Sequence, residues 1–123
     1  MKKTFSFVIN RAKWLRPTKA NPRPESQLLD AEGKMCCVGI FLRACKMPKK
    51  VLLHHGVAAD LTMPLPKRGR FLLEEPYNSE LAHRLYQTND RVGISAKTRE
   101  FKIKSLFARA NVAVTFVGRT PRK

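Results

Sequence analysis

Apolar and polar residues alternate at both ends of the chain and follow a helical period in between. Phe5, Phe7 and Ile9 alternate with Ser6 and Val8, and Val112, Val114 and Phe116 alternate with Ala113, Thr115 and Val117. Each is the pattern of a half-buried strand. From Cys36 to Lys46 the spacing changes. Stepping about 100° per residue gathers Cys37, Val38, Ile40, Phe41, Leu42, Ala44 and Cys45 into one wide arc, with Arg43 and Lys46 outside it and Cys36 at its edge, which predicts a helix. A short helix or turn from Pro48 to Leu53 follows. Asn78 reads as the cap of a helix reaching about Thr88 with Leu81, Ala82 and Leu85 inward, and Asn89 to Gly93 breaks it. Ser95 then caps a further helix to about Ala110, with Ile103, Leu106, Phe107 and Ala110 inward and Asn111 suited to its end.

The remaining segments carry weaker signals. Asn10 reads as the cap of a helical turn holding Trp14 and Leu15. Residues 16–25, interrupted by Pro17, Pro22 and Pro24, read as an irregular loop. Ser26 to Asp30 suggests a short strand, and Ala31-Glu32-Gly33 a turn. Residues 54–76 have no sustained period and leave room for a lid or recognition loop. The expectation is one α+β domain over 1–117 with a basic tail over 118–123. Its small antiparallel or mixed sheet contains both terminal strands and packs against three to four helices. The apolar part of the first segment ends at Ile9 and meets Arg11 and Lys13, so it reads as a strand and not as a signal peptide. No apolar run approaches a membrane span.

Charge changes this picture most. The chain of 123 residues holds 25 Lys and Arg against 9 Asp and Glu, a formal net charge of +16. A surface this basic is matched by a polyanion, and nucleic acid is the leading candidate. The charge is segmental: residues 1–24, 33–59 and 101–123 contain no acid at all. In the last helix, Phe101 falls opposite the buried arc, between Lys97 and Lys104. An outward aromatic between lysines suits a stacked base with phosphates on either side. The candidate contact residues are therefore Lys13, Arg16, Lys97, Arg99, Phe101, Lys104, Arg109 and Arg119. Known nucleic-acid motifs are absent, so the contacts expected are with phosphate.

Two further chemistries compete with simple packing. Cys36, Cys45, His54 and His55 are the right residue types for zinc, but Cys45 points into the apolar arc and the spacing matches no zinc motif, so no metal or other cofactor is expected. Cys36 at a helix start near Arg43 has the setting that lowers a thiol's pKa. His54, His55 or His83 would then be a base, oriented by Asn89 or Asp90. The bland reading is a small core residue. Three cysteines, two of them adjacent, make no disulfide framework, which points to a reduced intracellular setting.

The segment Leu28-Leu29-Asp30-Ala31-Glu32-Gly33-Lys34-Met35-Cys36-Cys37-Val38-Gly39, with Trp14-Leu15-Arg16 before it and Asn89-Asp90 after it, resembles a group of small phage and prophage accessory proteins. That group carries a Gly-Lys-Met-Cys-Cys-Leu-Gly turn between a tryptophan with a basic partner and an amphipathic helix leading to a final strand. The resemblance implies a viral protein in the host bacterial cytoplasm that acts by binding, and it carries over no catalytic residue. Members of the group are often acidic in the last helix, where this chain has Lys97, Arg99, Lys102 and Lys104. The leading expectation is a non-enzymatic protein that binds DNA or RNA, or a host complex containing nucleic acid, as an inhibitor of a defence system such as CRISPR. A protein–protein inhibitor of an acidic host surface and a thiol enzyme using Cys36 are the alternatives. Oligomeric state is left open.

Overall fold

The computed structural model describes residues 4–18, 24, 27–56, 61, 64–72 and 77–119. Strand β1 (Phe5–Asn10) and strand β2 (Val112–Val117) pair with each other in register, Phe5 opposite Val112 through Asn10 opposite Val117. The chain is α+β, with the two strands where the alternation puts them. Their two-stranded sheet is parallel, not antiparallel. Parallel strands cannot be joined by a hairpin, and here the entire helical body forms the crossover. Phe7, Ile9, Val112 and Val114 face that body and are buried, while Ser6, Val8, Ala113 and Thr115 face outward.

Helices α1 (Cys37–Ala44), α2 (Lys49–Leu52), α3 (Tyr77–Asp90) and α4 (Ala96–Ala108) supply much of the rest of the core, with α1 on β1, α4 on β2, and α3 against both α1 and α4. Phe41 sits at the centre. Its ring lies 5.4 Å from each of Phe7, Phe71 and Phe107 and 5.9 Å from Phe5, mostly edge to face. Such pairs add about 0.5–1.5 kcal/mol each beyond the area they bury. Phe71 belongs to a 3-10 helix, Lys67–Leu72, that the sequence pattern does not announce. Three residues per turn put Gly69 and Leu72 on one buried face, too short a repeat to stand out among Lys67, Arg68 and Arg70.

The segment singled out for its resemblance is the junction of the fold. The Asp30 carboxylate accepts hydrogen bonds from the Glu32 and Lys34 amides (2.9 and 2.8 Å), and Gly33 closes the turn at φ +85°. Met35 then bridges to Trp14, and Leu29 to Leu53, in place of the short strand expected over 26–30; Ser26 itself lies outside the described residues. Gly39 brings α1 against the backbone of Leu28. A Cβ there would stand 1.9 Å from the Leu28 carbonyl oxygen, so no side chain fits.

Asn10 caps no helix. Its Oδ1 accepts from the Ala12 amide at 3.0 Å, closing a turn from which Trp14 leaves in extended form. Ser95 caps α4 as expected, accepting from the Thr98 amide at 3.1 Å, and Asn111 ends it at φ +61°. Among the described residues, no helix is long and apolar enough to cross a membrane.

Candidate nucleic-acid interface

Helices α3 and α4 are joined by the short connection 91–95 and lie side by side. Between their outer faces runs an open groove of about 610 Å³. From α3 it is lined by Glu80, His83, Arg84, Gln87, Thr88 and, just past the helix end, Arg91; from α4 by Phe101, Lys102, Ser105, Leu106 and Arg109. On α3 the lining residues Glu80, Arg84, Gln87 and Arg91 recur at helical spacing, which is why one helix presents them as a stripe. On α4, Phe101, Lys102, Ser105 and Arg109 fill the arc away from Ile103 and Phe107, both fully buried. The groove thus has a basic wall on each side and an aromatic ring at its lip. Phe101 is 69% exposed, more than any other large apolar side chain among the described residues.

Carboxylates offset only the Arg84 part of this charge. Glu80, the acid lining the groove, pairs with Arg84 at 2.7 Å, one turn along the same exposed face. Glu100, the acid within α4, is turned away. It takes a bidentate pair from Arg11 (2.8 and 2.7 Å), whose guanidinium also donates to the Gly118 carbonyl at 2.7 Å. That pair ties both strand ends to α4 and holds the Arg11 pKa above its ordinary value, first through the hydrogen bond to Glu100.

The eight candidate contact residues divide by burial. Lys97 and Lys104 are exposed on the side of Phe101 away from the groove, Lys104 beside Ala108 and β2. Arg109 lines the groove itself. Lys13 and Arg119 are exposed in the connections that follow β1 and β2. Arg16 and Arg99, by contrast, are 7% and 4% exposed and cannot present a guanidinium at the surface. Arg16 stacks over the Trp14 ring (4.4 Å) and donates to the Trp14 and Arg11 carbonyls; burial lowers its pKa to about 10. Arg99 donates to the Thr88 and Asn89 carbonyls (2.8 and 2.9 Å), closing the C-terminus of α3 where a cation complements the helix dipole. Its pKa is also lowered, by desolvation first. The sequence reading misses the burial of both, because arginine is seldom buried. Arg84, Arg91 and Lys102 are not among the sequence candidates; the helical spacing of Glu80, Arg84, Gln87 and Arg91 is the signal that could have shown the first two.

The thiol and metal candidates are placed differently from their expected settings. Cys36 caps α1 but is fully buried, and burial pushes its thiol up to about 12, against the pull of the Gly39 and Val38 amides. Arg43 donates to the Met47 carbonyl at the far end of the helix. Asn89 is committed to the core and Asp90 accepts from it at 3.0 Å. Cys36 and Cys45 flank α1 at its two ends, and among the described residues no group of three or more His, Cys, Asp or Glu is placed to hold a metal ion. Half-buried Cys45 is expected to alkylate first in the folded protein. Cys36 and Cys37 should label only once urea exposes them, as peptide mass spectrometry with iodoacetamide would read. Rapid labelling of Cys36 in the native state would restore it as a nucleophile.

No family model, curated protein or solved structure matches the chain.

Proposed function

We propose that the protein binds nucleic acid through the α3–α4 groove and does so without chemistry of its own. The observation that carries this reading is the convergence of Arg84, Arg91, Lys102 and Arg109 on one groove beside an exposed phenylalanine, in a chain of net charge +16. Guanidinium and ammonium groups on facing walls suit a phosphate backbone laid between them, and Arg in particular meets phosphate with a fork of donors. Lys97 and Lys104, beyond Phe101, extend the basic surface across the outer face of α4. Gln87, Thr88 and Ser105 add neutral donors and acceptors at the groove wall. The resemblance of residues 28–39 to phage accessory proteins supports a setting in the bacterial cytoplasm. The bound nucleic acid would there be free or part of a host complex, such as a CRISPR effector, that the protein inhibits.

Fluorescence anisotropy against labelled oligonucleotides over 50–300 mM salt tests the binding. Affinity is expected to fall linearly on a log–log plot, by several powers of ten if six or more phosphates are met. Binding that ignores salt, or no binding to any nucleic acid at 50 mM, overturns the reading. A host partner that stays bound after nuclease treatment, with no oligonucleotide binding in the same protein, assigns the groove to an acidic protein surface instead.

A further inference from the structure

Resting on that reading, we infer that the groove takes single-stranded nucleic acid, with one unpaired base stacked on the Phe101 ring. A phenylalanine that is 69% exposed has given up most of the apolar burial that normally places it inside. The core had no shortage of places for aromatics: Phe7, Phe41, Phe71 and Phe107 are all buried there. Phe101 is also fixed in direction. It lies on the well-formed helix α4, whose opposite face is locked down by Ile103 and Phe107. The ring is therefore a flat, outward platform on a helix whose backbone is held in place.

The surroundings select the occupant. Lys97 and Lys104 are one turn before and nearly one turn after Phe101 on the outer side, and Lys102, Arg109 and Arg91 lie on the groove side. A base stacked on the ring has its own flanking phosphates within reach of cations on both sides. An apolar peptide or lipid would meet charge all round the ring and gain only one aromatic contact. Inside a duplex a paired base has both faces occupied by its neighbours, so apart from its two end pairs a duplex offers Phe101 nothing unless it is unstacked at a cost of a few kcal/mol. A groove of about 610 Å³ has the size of a site for a nucleotide or two.

The test compares wild type, Phe101→Ala and Phe101→Trp against a labelled 12-nucleotide single strand, as DNA and as RNA, and the blunt duplex of the same sequence. Wild type is expected to prefer a single strand over the duplex, either sugar satisfying the inference. Phe101→Ala should weaken single-strand binding roughly five- to a hundredfold with the salt slope unchanged, because stacking is lost and no phosphate contact is. Phe101→Trp should keep the affinity and show quenching of its added fluorescence on binding. Circular dichroism of both variants checks that α4 is intact. Equal affinity for duplex and single strand, or a Phe101→Ala protein that binds like wild type, overturns the inference. In that event salt-steep binding would leave the phosphate-binding groove standing, whereas no binding to any oligonucleotide removes both.

Discussion

Asn89→Ala is expected to bring the protein close to unfolding at 25 °C. Asn89 is fully buried at the end of α3 and joins three parts of the core. Its Oδ1 accepts from the Trp14 indole N–H at 2.7 Å and from the Cys37 amide at 2.9 Å, and its Nδ2 donates to the Leu15 carbonyl at 2.9 Å. Alanine leaves an indole N–H, a helix-start amide and a carbonyl without partners in the interior. Each orphaned group costs about 1–3 kcal/mol, so three left unpaired cost at least about 3 kcal/mol. Total stabilities of small domains are about 5–15 kcal/mol, so this is a large fraction. Urea unfolding followed by the emission of Trp14, the chain's single tryptophan, should show an earlier midpoint and a red-shifted native baseline. Gln87→Ala, exposed on the same helix, should move the midpoint by less than about 0.5 kcal/mol. An Asn89→Ala protein as stable as wild type would mean that the hub holds nothing together.

The hub also shows where the sequence could and could not be read. The period of α1, α3 and α4 and the alternation of β1 and β2 are properties of neighbouring residues, and the buried sets Leu81, Ala82, Leu85 and Ile103, Phe107 lie where that period puts them. Asn89 read as a helix breaker because its alternative, a core position satisfied by residues 52 to 75 positions away, leaves no local mark. The same holds for Arg16 and Arg99, whose carbonyl partners are set by how Trp14 and the end of α3 fold back. Strand direction is equally non-local: nothing in Phe5–Asn10 or Val112–Val117 reports that the crossover returns them parallel. On the candidate interface, Phe101 and Arg109 were legible from one helical wheel. Arg84, Arg91 and Lys102 join the interface only through the pairing of two helices, which no local pattern reports. Residues 120–123 of the basic tail, and residues 57–60, 62–63 and 73–76 of the stretch with room for a lid or recognition loop, lie outside the described residues.

Reversing the charge of the groove is expected to have the largest effect on binding. Arg91, Lys102 and Arg109 are all exposed, so glutamate at the three positions leaves the core untouched. The triple variant loses three phosphate contacts and adds three repulsions on the same path. Charge-assisted hydrogen bonds contribute about 1.5–3 kcal/mol each. A conservative sharing of that range among three residues predicts affinity for a single strand at least a hundredfold lower at 100 mM salt. The salt slope should flatten by about two units, since each phosphate contact on a single strand contributes about 0.7. Lowered net charge alone would also weaken association, and the decisive comparison separates the two effects. Glutamate at Lys34, Lys49 and Lys50, exposed residues that do not line the groove, changes the net charge by the same amount. That variant should bind within about tenfold of wild type, with a slope reduced by less than one unit, because long-range repulsion is screened beyond about 8–10 Å at these salt concentrations. If the two triple variants lose affinity equally, the protein attracts polyanions with its whole surface, and the α3–α4 groove has no special part in it.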